Sequence, residues 1–456
     1  MSEWKKVKIG DFLTEREGRY KPNDKEISKY QRLDKIDFSG NIHISDKPTK
    51  TDMIIVFPGD LIISGINVAK GAISVYQGKE PVCATIHYSS YTFDDKKVDL
   101  DYFKYFVKSP AFIFALQQQV KGGIKTEIKP KHLLPLEISL PDLSTQKEIV
   151  KVLSKKIEKV ELIKSEIESQ KAYAKQLRQN ILQEAIEGKL TEEWRKENPI
   201  VKGNPDFDAE ALFEKIQEKK CLTDSELPLE TSLRIRNSKK KVFEPIAENE
   251  QPFEIPEGWK WVRLGEITTL ITDGKHGDSE NQDNSGFYFL SAKDIQNEKL
   301  VYDYARQITE KDFYETHRRT NLKPGDICIV NTGATVGKLA IAPDDQKTYS
   351  TTFQKSVAIV KLVKDYVYNK YIKYYLVNDV PRLMQKSWGS AINNLLLSDM
   401  RIELIPLPPL AEQKEIVSRV EKLLANVTEL EEQITEREEM TKQLMQSIMK
   451  DAFKEV

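Results

Sequence analysis

Hydrophobic residues recur at heptad spacing in two stretches of the chain, and this pattern organises the rest. In the first stretch Leu153, Val160, Ile167, Ala174 and Ile181 fall every seventh residue, with Ile149, Ile163 and Leu177 at the alternate heptad position. In the second, Val420, Val427, Ile434 and Ile448 stand 267 residues after their counterparts, beside Leu423, Leu430 and Leu444. Both stretches are rich in Glu, Lys, Gln, Leu and Ile and free of Pro and internal Gly, which predicts helix. A narrow apolar stripe of this period is a coiled-coil seam, here in one common register. The first helix should start after Pro141, with Ser144 as its N-cap, and stop at Gly188; the second follows Pro409. A rod of that length, roughly 65 Å at ~1.5 Å per residue, must pair to cover its seam. Its twin in the same chain is the natural mate, antiparallel, because an intramolecular encounter avoids the entropy of association. Homodimerisation of each helix is the alternative.

The same displacement runs through the flanking sequence. Leu140 to Val150 returns as Leu407 to Val417 with an identical Gln-Lys-Glu-Ile-Val, and Pro58-Gly59-Asp60 returns as Pro324-Gly325-Asp326. Trp4, Val7, Ile9 and Gly10 match Trp259, Val262, Leu264 and Gly265. The chain is one design used twice, an internal pseudo-two-fold repeat with insertions inside the heads.

Short strand-like runs, Asp60 to Ser64, Ala72 to Tyr76 and Asp326 to Val330, lie between Gly, Pro and Asp turns and predict mixed α/β heads. Aromatic segments from Tyr102 to Phe114 and Tyr366 to Leu376 read as core helices rather than base-stacking platforms. The expected organisation is therefore a head over 1–143, a helix over 144–190, a charged linker over 191–255 with one short helix near Ala209 to Lys220, a second head over 256–410 and a helix over 411–456.

Composition adds limits. At 456 residues with 39% hydrophobic and 31% charged positions, the chain can fill about three cores and is not disordered as a whole. No window approaches a membrane span and the start lacks an apolar signal, so a cytoplasmic protein without membrane contact is expected. Cys83, Cys221 and Cys328 suit neither a zinc knuckle nor a disulfide scaffold. The net charge of -1 settles nothing, because nucleic-acid binding depends on where cations cluster.

Catalytic chemistry is not readable. Val330 to Lys338 mimics a phosphate-binding loop, but its glycines are one residue too close and Leu339 stands where a magnesium-holding hydroxyl belongs. Pro205-Asp206 followed by Glu218-Lys219-Lys220 mimics a nuclease pattern within a charged helical stretch. His43, His87, His132, His276 and His317 show no metal-ligand spacing, so no catalytic or metal residues are expected.

With these motifs in order and duplicated, the chain resembles the specificity subunits of type I restriction-modification enzymes. The marks are Ile255-Pro256-Glu257-Gly258-Trp259, Ile271 to His276, both Pro-Gly-Asp turns, Gly333 to Gly337, both Gln-Lys-Glu-Ile-Val helix starts and Ile181 to Leu190. The resemblance implies that each head is a target recognition domain reading half of a split, asymmetric site on double-stranded DNA. It implies that the helices form an antiparallel spacer and dock two methyltransferase subunits, with restriction subunits joining through these. S-adenosylmethionine, ATP and magnesium would then belong to the partner subunits and none to this chain.

Base and phosphate reading needs amides, hydroxyls and cations on loops that reach a groove. Asn67 and Lys70 in the first head, and Thr332, Thr335 and Lys338 in the second, lie on glycine-bearing loops just after a strand. Lys121 and Lys125, and Lys386, Ser390, Asn393 and Asn394, occupy equivalent places, and Lys275 with His276 forms another candidate loop. A stand-alone two-headed repressor and a coiled-coil scaffold for proteins are the competing readings; steep loss of binding with salt excludes the scaffold.

Overall fold

The computed structural model describes residues 4–38, 40–45, 47, 49–67, 72–119, 129–225, 243–386 and 394–453. The chain divides into two compact units, the first formed by residues 1–171 and 432–456, the second by residues 172–431. No helix among the described residues is long and apolar enough to cross a membrane.

In unit 1 an antiparallel four-stranded sheet has the order Leu13–Glu15, Tyr88–Phe93, Leu61–Ser64, Ile73–Val75. A second sheet runs Ile42–Ser45, Arg32–Ile36, Val82–Thr85, Met53–Val56. In unit 2 the four-stranded sheet has the order Thr268–Asp273, Val357–Leu362, Ile327–Val330, Leu339–Ile341, which is the same order of connection as the first sheet of unit 1. The strand after each Pro-Gly-Asp turn is buried along its whole length. Its alternating side chains serve two cores, as a period of two requires: Ile327 and Ile329 enter the large core of unit 2, whereas Cys328 and Val330 enter a smaller one. Leu61 and Ile63 against Ile62 do the same in unit 1.

Each Pro-Gly-Asp turn uses glycine at positive φ (+87° at Gly59, +91° at Gly325), and the aspartate then closes its own turn. Asp60 accepts from the Phe57 amide at 3.0 Å and from Arg16 at 2.7 Å, and Asp326 accepts from the Lys323 amide at 2.8 Å and from Lys361. Burial pushes the Asp326 carboxyl above the usual carboxylate range, although Lys361 pulls it down. The aromatic helices are core, as expected: Tyr102, Phe103, Phe106, Tyr371 and Ile372 are wholly buried.

The long helices span Leu143–Ile186 and Leu410–Ala452. Asp142, not Ser144, caps the first. Its carboxylate accepts the Thr145 amide at 2.8 Å, and that bond holds its pKa below the ordinary value. The repeated glutamine is a latch. Gln146 accepts the Asp99 amide at 2.8 Å and donates to Pro141 at 2.8 Å, and Gln413 accepts the Tyr368 amide at 2.8 Å and donates to Pro408 at 3.0 Å. Both side chains are fully buried, so each satisfies a backbone group that water cannot reach. Gln413→Met keeps the volume but leaves both partners unpaired. Unit 2 should lose about 2–4 kcal/mol, read from its urea midpoint; an unchanged midpoint would refute the latch.

The stretch read as a linker is partly folded. It contains helices Glu192–Glu197 and Ala209–Ser225, and Leu212 and Ile216 of the latter are fully buried in the core of unit 2. Arg195 donates to Glu412 at 2.5 Å, and the carboxylate of Glu412 also accepts Thr191 and the Trp259 indole at 2.7 Å each. The tryptophan of Ile-Pro-Glu-Gly-Trp is thereby tied to the start of the second long helix.

Along the expected seam Leu153, Val160, Ile167, Ile181, Val420, Val427 and Ile434 are buried, and Ile163, Leu423 and Ile448 partly so. Leu177, Leu430 and Leu444 are not: they are 42%, 45% and 45% exposed. Polar crossings take the flank of the contact instead. Within unit 1 Lys171 meets Glu438 at 2.9 Å and Arg437 donates to Gln170 at 2.8 Å; within unit 2 Arg178 donates to Glu431 at 2.9 Å. The second apolar position of the heptad is thus less covered than the first.

Candidate nucleic-acid interface

At one end of the unit 2 sheet three loops meet, because the strands Thr268–Asp273 and Ile327–Val330 finish there and Val357–Leu362 and Leu339–Ile341 begin there. Backbone bonds join them. The Lys355 amide donates to Lys275 at 3.0 Å, the Asn331 amide to Ser356 at 3.0 Å, and the Leu395 amide to Asn331 at 2.7 Å. Two glycines permit the approach. A Cβ on Gly274 would lie 2.0 Å from the Phe353 carbonyl oxygen, and one on Gly337 would lie 2.2 Å from Val380.

The loop from Asn331 to Lys338 joins strand to strand, without the helix a phosphate-binding loop requires. Thr332 is fixed by donating to Asn394 at 3.0 Å, Thr335 is half-buried and Lys338 is exposed. His276 stands 63% exposed, 2.8 Å from Asp273. Lys275 is turned inward. Its ammonium lies 3.2 Å from both Asp312 and Glu315 with the side chain 16% exposed. Burial works against that charge, but the two carboxylates outweigh it and hold the pKa above the ordinary lysine value. Lys275 is therefore a strut between the turn and helix Glu310–Thr320 rather than a free cation.

Sequence reasoning missed Gln354 and Lys355, both exposed on the short turn that pairs with Lys275. No glycine or motif flags them, because only the pairing across the sheet brings them beside His276. Arg319 also reaches this end, donating to the Asp273 carbonyl at 2.9 Å. The exposed groups so gathered are an imidazole, two lysines and a carboxamide, the donor and acceptor set that phosphates and base edges take.

In unit 1 the corresponding strand end carries Asn67, half-buried, whose carbonyl accepts the Ala72 amide at 3.1 Å. The Gly65 amide donates to the carbonyl of His87 at 2.9 Å, and the His87 side chain is exposed. Lys70, Lys121, Lys125, Ser390 and Asn393 lie outside the described residues, as does the side chain of Lys386. Among the described residues no group of three or more His, Cys, Asp or Glu is placed to hold a metal ion.

Two α/β units with the same strand order, each ending a sheet in polar loops and each containing part of both long helices, are the build of a modular binding protein. A family model for the type I restriction modification DNA specificity domain matches residues 1–170 and 256–439, and the chain belongs to that family. The EcoBI specificity subunit of Escherichia coli is 23% identical over 349 residues, which cover 76% of this chain but only 63% of that subunit. The EcoKI specificity subunit of Escherichia coli K12 is 22% identical over 404 residues, 88% of this chain and 75% of the relative. Among solved structures, a chain from work on the assembly and conformational transition of the type I R-M system aligns with a TM-score of 0.60 at 18% identity. That alignment covers 99% of this chain and 97% of the other, and it supports the fold.

Proposed function

We propose that the chain is the sequence-specific DNA-recognition subunit of a type I restriction-modification complex. Each unit carries one target recognition domain, over 1–143 and 256–410, and each reads one half of a bipartite, asymmetric site. The observation that carries this reading is the repeated sheet order with dissimilar loops at its open end: His276, Lys338, Gln354 and Lys355 in unit 2, Asn67 and His87 in unit 1. A common frame with different tips suits two readers of different half-sites.

The helices, paired antiparallel as a coiled coil under the pseudo-two-fold repeat, set the spacing and dock two methyltransferase subunits. Half-sites one helical turn apart, ~34–36 Å, would face one side of the duplex. Methylation and cleavage, with S-adenosylmethionine, ATP and magnesium, fall to the partner subunits, and restriction subunits join through the methyltransferase.

The test is co-expression with a type I methyltransferase subunit, followed by mapping of methylated sites. Exchanging residues 1–143 for another family member's head should alter one half of the site and leave the other. A change in both halves would refute independent heads. Removing both Lys338 and Lys355 as alanines should lower the slope of log K against log salt by about 2, since each phosphate contact contributes about 0.9. An unchanged slope would remove this loop end from the DNA interface.

A further inference from the structure

Reading a base edge needs a side chain that is exposed, matches the edge in donors and acceptors, and starts from a rigid backbone. Along the backbone bonds that join the loops of the unit 2 sheet end stand three amide side chains among the described residues. Asn331 is buried, at 5% exposure, and Asn394 is half-buried with its oxygen occupied by the Thr332 hydroxyl at 3.0 Å. Gln354 is exposed. Lys338 and Lys355, also exposed, are point charges on flexible stems and suit any phosphate.

The backbone under Gln354 is pinned on both sides. Its amide donates to the Leu290 carbonyl at 2.8 Å, and its own carbonyl accepts the Val357 amide at 3.0 Å. Phe353, the residue before it, is wholly buried and accepts the Lys275 amide at 2.7 Å, while Lys355, the residue after, donates to Lys275 at 3.0 Å. A Cβ on Gly274 would fall 2.5 Å from the Gln354 carbonyl oxygen, so the turn that carries His276 is pressed against this residue. A merely solvated glutamine needs no such footing. Fixing its backbone in advance removes freedom that binding would otherwise have to remove.

At the tip, the Ser356 hydroxyl donates to Oε1 in a long bond of 3.4 Å, and among the described residues Nε2 meets no acceptor. One lone pair of the oxygen and both N–H groups are left for a ligand. The carboxylates of this end have partners of their own: Asp273 lies 2.8 Å from His276 and 3.3 Å from Arg319, and Asp312 and Glu315 each lie 3.2 Å from Lys275. An acceptor next to a donor is the complement of adenine in the major groove, where N7 accepts and N6 donates. Guanine shows two acceptors there, cytosine one donor, and thymine one acceptor beside a methyl group. None of these satisfies both halves of a carboxamide.

We infer that Gln354 reads an adenine in the major groove of the half-site taken by unit 2, with Lys338 and Lys355 on flanking phosphates. The inference rests on DNA recognition by this sheet end, as proposed above, and goes further by giving one residue one base pair. The experiment uses the full chain co-expressed with a type I methyltransferase subunit; methylated sites are mapped, and exchange of residues 1–143 shows which half belongs to unit 2. Gln354→Ala should relax one position only, an A·T pair in either orientation, within the half that this exchange leaves unaltered. Preference for that pair should fall about ten- to a hundredfold in competition between duplexes. Gln354→Glu can accept from cytosine N4 but cannot donate, so it should move the preference at the same position to C·G. Lys355→Ala should weaken binding to all duplexes alike and leave the recognised sequence as it was. All three variants should melt with the parent, because the side chains are exposed. An unaltered site in Gln354→Ala, relaxation at a G·C pair, or loss spread over every position would overturn the inference. A parent chain that directs methylation to no defined site would instead overturn the recognition role beneath it.

Discussion

Glu412→Leu is expected to lower the unfolding free energy of unit 2 by about 3–5 kcal/mol, because it strands a largely buried guanidinium. Glu412 is itself 1% exposed and receives Arg195, Thr191 and the indole of Trp259. The substitution therefore leaves three donors facing an apolar side chain. Arg195 keeps 20% of its side chain in contact with solvent, so water recovers part of the loss. The double variant Glu412→Leu with Arg195→Met should regain most of the stability, since removing both charges is far cheaper than removing one. Urea unfolding followed at Trp259 and Trp261 measures both. A single variant as stable as the parent, or a double variant additive in its losses, would show that the pair is not coupled.

Phe453→Ala should cost unit 1 a similar amount, about 3–5 kcal/mol, as the loss of a buried aromatic ring usually does. Phe453 is 2% exposed, its ring centroid 5.4 Å from Tyr102 and 5.6 Å from Phe106, edge to face. A core assembled from residues 9 to 153 is thus completed by Met449 and Phe453 from the second long helix. Hydrogen exchange gives the local reading. Amides of Leu100–Phe106 should lose protection while those of Ile327–Val330 keep theirs. Loss spread evenly over both units, or no loss, would contradict the placement.

What could be read in the sequence follows from how far apart the interacting residues lie. Local periodicity sufficed for the long helices, the aromatic core helices and the Pro-Gly-Asp turns, because each is specified by neighbours within a few residues. The helix cap was misassigned by two residues because Asp142 and Ser144 are both good caps, and only the bond to Thr145 distinguishes them. Lys275 looked like a free cation because its partners Asp312 and Glu315 are 37 and 40 residues away. Gln354 and Lys355 carried no signal at all, since their position beside His276 depends on strand pairing. The stretch over 191–255 read as a charged linker with one short helix, and nothing local told that the helix packs into a core. Leu212 and Ile216 of that helix fall on the face that unit 2 buries.

The strand Ile327–Val330, dividing its side chains between two cores, sets the rules by which this head can change over evolutionary time. Deleting one residue inside it would exchange the two sets of side chains and leave both cores with misfitting shapes. Lengthening or rewriting the loop from Asn331 to Lys338 leaves that division untouched. Tip and frame are therefore separable: residues can be added at the tip while the alternation that fills the two cores stays as it is.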